Sequence, residues 1–168
     1  MLIRYCVAQT GVKAIAVATV ICLIAVVLEA ILAGSDPRSR FNQLRSPPYS
    51  PAFRVWVFIG LLYYVMCFLI LRRILSSEAS SLSNSWALAL VVAILVFNAL
   101  WNLLFFRLGA LRVSFLVFIP YGLLVVALTI LMISIYPFGT VLLTLYCGYL
   151  IYAMWWSYKL WQLNDSKH

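Results

Sequence analysis

Five runs of about twenty predominantly apolar residues dominate this 168-residue chain, at 12–33, 53–71, 86–108, 113–134 and 138–161. Each is long enough to cross the hydrocarbon core of a bilayer as a helix, and a helix satisfies its own backbone polar groups there. Composition agrees, with 66% hydrophobic residues, only 10% charged, and a mean hydropathy of +1.07. An average soluble domain is about half apolar and a quarter charged, so this chain lacks the polar residues to clothe a globule in water. The reading is an all-α membrane protein: one domain over 1–168, a bundle of five transmembrane helices with almost nothing outside the membrane. Most soluble enzyme classes are thereby excluded. The first run is too long for the core of a signal peptide, and Glu29 precedes no small-x-small cleavage pattern, so it is kept as a membrane helix.

The connections are short apart from 34–52, which is rich in Pro, Ser and Arg. Short connections make neighbouring helices antiparallel, and an odd number of spans puts the termini on opposite sides. Four basic residues then fall on the N-terminal side (Arg4, Lys13, Arg72, Arg73) and eight on the other (Arg38, Arg40, Arg45, Arg54, Arg107, Arg112, Lys159, Lys167). Basic residues stay cytoplasmic, which predicts the N-terminus outside and the C-terminus inside, with a bacterial inner membrane as the setting. The net charge of +8 therefore reads as topology and headgroup contact. It does not form a basic face with interleaved aromatics, so no nucleic-acid partner is expected. Cys6, Cys22, Cys67 and Cys147 are scattered singly and indicate neither a zinc site nor a disulfide framework.

No arrangement for acid–base or nucleophilic catalysis or for metal binding is present. The one histidine, His168, is terminal, and Asp36, Glu78 and Asp165 lie in loops or the tail. Glu29 is within a span but near its end, where reaching back to the headgroups is the plainer reading. An acid in a membrane helix is nevertheless a functional position by default. The aromatic residues carry more information. Trp86 and Trp161 sit at span ends as an interface belt. Asn98, Trp101 and Phe105 share a helical face, and a mid-bilayer amide must bond either another helix or a ligand. Tyr146, Tyr149, Ala153 and Trp156 form a second stripe, with Tyr152 and Ser157 at its edges. Tyr and Trp carry polar handles that lipid leaves unpaired, so this stripe turns inward. Ala153 leaves a gap in it for a flat guest, in a slot between helices. In the first loop, Phe41, Leu44, Pro47, Tyr49 and Pro51 combine apolar anchors with stiffness, as a lid or as a pinned linker. Arg38, Arg40 and Arg45 either pin that loop or meet the carboxylates of a guest.

These residues resemble the tryptophan-rich sensory protein/translocator protein family, also called the peripheral benzodiazepine receptor family. Asn98-x-x-Trp101-x-x-Leu104-Phe105-Phe106 looks like its third-helix signature, and Tyr146-x-x-Tyr149-x-x-Tyr152-Ala153, continued to Leu160-Trp161-x-Leu163-Asn164, is similar to its fifth helix. Leu44-x-x-Pro47-x-Tyr49-x-Pro51 resembles its first loop, and Leu62-Tyr63-x-x-Met66 its second helix. Leu145, Tyr149 and Ser157 stand where the family usually has Pro, Trp and Asn, and Trp56 replaces its second-helix Trp in another register. The resemblance implies a membrane receptor or sensor for hydrophobic planar ligands: porphyrins such as protoporphyrin IX or haem, sterols, and benzodiazepine-type drugs. No cofactor is required; a porphyrin or haem would be the ligand. The implied pocket comprises Tyr49, Trp56, Asn98, Trp101, Phe105, Tyr146, Tyr149 and Ala153 beneath the first loop, in a homodimer that pairs through the third helix. Two alternatives follow from the same resemblance: a light-dependent porphyrin-degrading enzyme using Trp101 and Trp56, and a tetrapyrrole transporter. The transporter is disfavoured by the absence of paired halves and broken helices. A purely structural subunit, with every aromatic as packing, is a further alternative.

Overall fold

A computed structural model describes residues 2–77 and 82–165, with residues 2–10 as backbone only. Glu78, Lys167, His168 and the side chains of Arg4 and Cys6 lie outside the described residues. The chain forms α1 (Leu2–Ala33), α2 (Pro37–Gln43), α3 (Phe53–Leu75), α4 (Leu82–Asn102), α5 (Leu111–Ile135) and α6 (Pro137–Asp165). A π-helical turn, Leu103–Arg107, continues α4. Five of the helices are long and apolar enough to span a membrane, as the sequence predicts. Each runs past its expected apolar limits at one end or both, because a helix continues into the interface until its end groups find water or a cap. Around the bundle, α1 packs between α3 and α4, α4 on α5, α5 on α6, and α6 returns to α3.

Between membrane helices, close approach comes from small side chains rather than from water exclusion. On α1, Ala14, Ala18, Cys22 and Ala25 recur every three or four residues and are all buried. Val20, Leu23, Ile24 and Val27 cover its outer face. Hydroxyls inside the spans turn back on their own helices: Thr19 donates to the Ile15 carbonyl at 2.8 Å, and Thr129 to that of Val125 at 2.7 Å. Both of these hydroxyls are thus satisfied without leaving the hydrocarbon.

The bundle differs between its two ends. Away from the first loop, Ile70, Leu71, Val91, Ile94, Val125, Leu128, Met132 and Leu143 fill a close-packed interior with Cys67. Towards the loop, aromatic rings replace aliphatic side chains, and Phe41, Phe105, Trp156 and Leu160 centre a second cluster. The loop itself contains α2, where an irregular connection was expected. Asp36 caps that helix by accepting the Ser39 N–H at 3.0 Å, and Pro37 occupies its first turn.

The turn from α4 to α5 is made by Gly109, whose φ of +63° lies in the left-handed region. The Arg40 guanidinium lies where a Cβ there would project. Gly109→Ala must adopt a conformation costing a side-chain-bearing residue about 1–2 kcal/mol. We predict a lowered thermal midpoint in detergent with the helical circular-dichroism signal retained; an unchanged midpoint would show that the turn tolerates Ala.

Candidate functional site

The aromatic half of the bundle encloses a cavity of about 410 Å³ between α1, α3, α4, α5 and α6, with Pro37 and Phe41 of α2 on its wall. This lies within the size range of small-molecule sites. Seven of the eight residues expected at a pocket line it: Trp56, Asn98, Trp101, Phe105, Tyr146, Tyr149 and Ala153.

Helical periodicity explains how they meet. Asn98, Trp101 and Phe105 project from one face of α4, and Trp101 stacks on Phe105 at 4.7 Å between ring centroids. The π-helical turn closes with the Leu108 N–H donating to the Leu103 carbonyl at 2.9 Å. Its extra residue per turn leaves the consecutive Phe105 and Phe106 both on the cavity wall. From α6, Tyr146, Tyr149, Ala153 and Trp156 line the opposite side, with Ala153 fully enclosed as the gap in the stripe. Trp56 of α3 completes the wall, with centroids 4.7 Å from Trp156 and 6.1 Å from Tyr149. The Tyr121 and Tyr146 hydroxyls share a hydrogen bond at 2.6 Å, which pairs both groups inside the protein. Among the described residues, the buried indole N–H groups of Trp56 and Trp101 have no acceptor. Both residues line the cavity, so an acceptor on a guest could reach them.

Two expectations are corrected. Tyr49 is not a wall residue: its side chain is 92% exposed and its backbone has a φ of +62°. What it supplies is its carbonyl, which accepts the Tyr152 hydroxyl at 3.0 Å. A left-handed turn between Pro48 and Pro51 points the ring outward while presenting the main chain to α6. Glu29 does not reach for the headgroups: it accepts a hydrogen bond from Asn98 Nδ2 and lines the cavity. The open question about Asn98 is resolved by the same contact, since the residue bonds a neighbouring helix and faces the cavity at once. Phe53, Tyr63, Asn102, Phe106, Phe118 and Tyr121 also line the wall, beyond the eight residues expected there. Phe118 and Tyr121 are three apart on α5 and were detectable as a face. The π turn that admits Phe106 has no such sequence signal.

The first loop covers this end and is fastened to α6. The Arg45 N–H donates to Asn164 Oδ1 at 3.0 Å, and Asn164 Nδ2 donates to the Arg45 carbonyl at 3.1 Å. Trp156 Nε1 donates to Ser50 Oγ, and Tyr152 holds the Tyr49 carbonyl as described. Phe41 is buried beneath α2, stacked on Trp156 at 6.0 Å and tilted against Phe53 at 5.6 Å. Pro47 is also buried. Of the two belt tryptophans, Trp86 is exposed, whereas Trp161 stacks on Phe115 at 5.9 Å under the Arg112 guanidinium.

Fold and cavity together describe an integral membrane protein with a chamber inside the bundle beneath a fastened loop. The sequence profile of the TspO/MBR family matches residues 16–162, and the chain belongs to that family. No curated protein matches the chain.

Each loop hydrogen bond contributes about 1 kcal/mol. Asn164→Leu removes both bonds to Arg45, so we predict at least about tenfold faster amide exchange at Arg45, with the spans unaffected. Unchanged exchange there would show that the loop is held by its apolar anchors alone.

Proposed function

We propose that this protein binds large planar hydrophobic ligands, porphyrins such as protoporphyrin IX foremost, in the aromatic cavity. The observation that carries the reading is the wall itself: Trp56, Trp101, Tyr149 and Trp156 surround a membrane-embedded space, and Ala153 keeps its centre open. Flat rings gain both apolar burial and offset stacking against such faces. The wall offers ring faces on several sides, so the side chains present hold a macrocycle chiefly by its faces.

A second, more open depression of about 680 Å³ adjoins the cavity and shares Ala30, Ala33 and Phe106 with it. Arg40 and Arg107 line this outer groove. A ring in the cavity with its carboxylates in the groove would place apolar and anionic parts of one guest in matching surroundings. Sterols and benzodiazepine-type compounds are further occupants of the same apolar space.

Dimer formation is compatible with this arrangement. Asn98 and Trp101 face inward, so pairing through α4 would use its outer stripe, Val92, Val96 and Leu100, and leave the cavity intact.

A second reading, light-driven porphyrin degradation, is favoured by indoles on the wall, among them Trp56 and Trp101. It predicts a new absorbing product in an illuminated protein–porphyrin sample, absent in Trp101→Phe and Trp56→Phe.

Protoporphyrin should quench the intrinsic tryptophan emission saturably in detergent. Ala153→Phe fills the central gap and should weaken that binding at least about tenfold, because overpacking displaces a ring of similar thickness. Arg40→Gln with Arg107→Gln should abolish any preference for the free acid over its dimethyl ester. Linear quenching, indifferent to Ala153→Phe, would contradict the reading.

A further inference from the structure

The cavity carries one feature that a porphyrin reading does not use. Among the described residues, Glu29 is the only charged side chain on its wall. It sits in the spanning part of α1, and its carboxylate accepts from Asn98 Nδ2. As an interhelical tie alone, a neutral Gln at this position would accept the same bond without the expense of a charge in hydrocarbon. The arginines of this end do not offset that charge on the wall: Arg40 and Arg107 line the outer groove, which also holds Asp36. An ionised Glu29 gives the interior a negative charge among aromatic faces, while the mouth is mixed.

We propose that the cavity is also a site for planar aromatic cations, with the Glu29 carboxylate as counter-charge and Trp56, Tyr63, Trp101 and Tyr149 as the surrounding ring faces. Indole and phenol faces attract a cation lying within about 6 Å of their centroids, and more strongly where water is excluded. A positively charged guest beside Glu29 favours the ionised carboxylate that burial opposes, and the low surrounding dielectric makes that pairing worth far more than at a surface. Asn98 holds the carboxylate in place by its amide, so the acid is oriented before the guest arrives. This ligand class goes beyond the porphyrin reading and stands or falls separately from it.

The test uses a matched pair of three-ring probes, 10-methylacridinium with a fixed positive charge and neutral 9-methylanthracene. Both are titrated into the full chain in uncharged maltoside micelles, with protein-free micelles subtracted. Wild type should bind the cation at least tenfold more tightly than the neutral ring. Glu29→Gln, which keeps an acceptor for Asn98, should bring that ratio to near one while retaining 9-methylanthracene binding. Glu29→Asp keeps the charge and should retain a preference, which covers the case of a Gln variant that does not fold. Ala153→Phe should weaken both probes. Equal affinity of wild type for the two probes, or a preference that survives in Glu29→Gln, would overturn the proposal. Porphyrin takes no part, so a failure here is distinguishable from a failure of porphyrin binding.

Discussion

In hydrocarbon a polar group has no water to fall back on, and this constraint governs the molecule. The backbone meets it by forming helices, and the threonines by bonding their own turns. The Glu29–Asn98 contact meets it between helices: an acid on α1 and an amide on α4 satisfy each other across the bundle. That contact fixes the facing of both helices at the level of the cavity. Trp101 and Phe105, one and two turns beyond Asn98, then necessarily point to the same interior.

The hollow half is stable because its openings are fastened rather than filled. Aliphatic packing between α1, α3, α4, α5 and α6 supplies a solid end. At the other end α6 is long enough to rise past the membrane core and meet the first loop with Tyr152, Trp156 and Asn164. Phe41, inserted beneath α2, links the loop to the same aromatic cluster that lines the chamber. Opening the loop therefore means unstacking Phe41 from Trp156 as well as breaking hydrogen bonds, so loop and cavity are coupled through one residue on α6.

Five spans, their order and two of the cavity faces were legible in the sequence, because each rests on a local period: apolar runs about twenty long, and aromatic residues three and four apart. Asn98, Trp101 and Phe105, and likewise Tyr146, Tyr149 and Ala153, lie on the faces that their spacing dictates. What was not legible depends on partners distant in the chain or on irregular backbone. Glu29 lies one turn from the end of its span and could reach either way; only Asn98, 69 residues on, decides it. Tyr49 has the composition of a wall residue, yet a positive φ turns its ring out. The π turn after Asn102 carries no periodic signal, so nothing in the spacing places Phe106 on the wall. The short helix α2 was signalled by Ser35-Asp36-Pro37, a cap followed by a first-turn proline, and was hidden only by the loop-like composition around it.

A flat guest in the aromatic chamber is what the proposed function requires. A structure determined with protoporphyrin bound tests this most directly. We expect the macrocycle between Trp56, Trp101 and Tyr149, in contact with Ala153, with its carboxylates towards Arg40 and Arg107. A macrocycle on the outer, lipid-facing surface of the bundle, with the chamber unchanged, would contradict it.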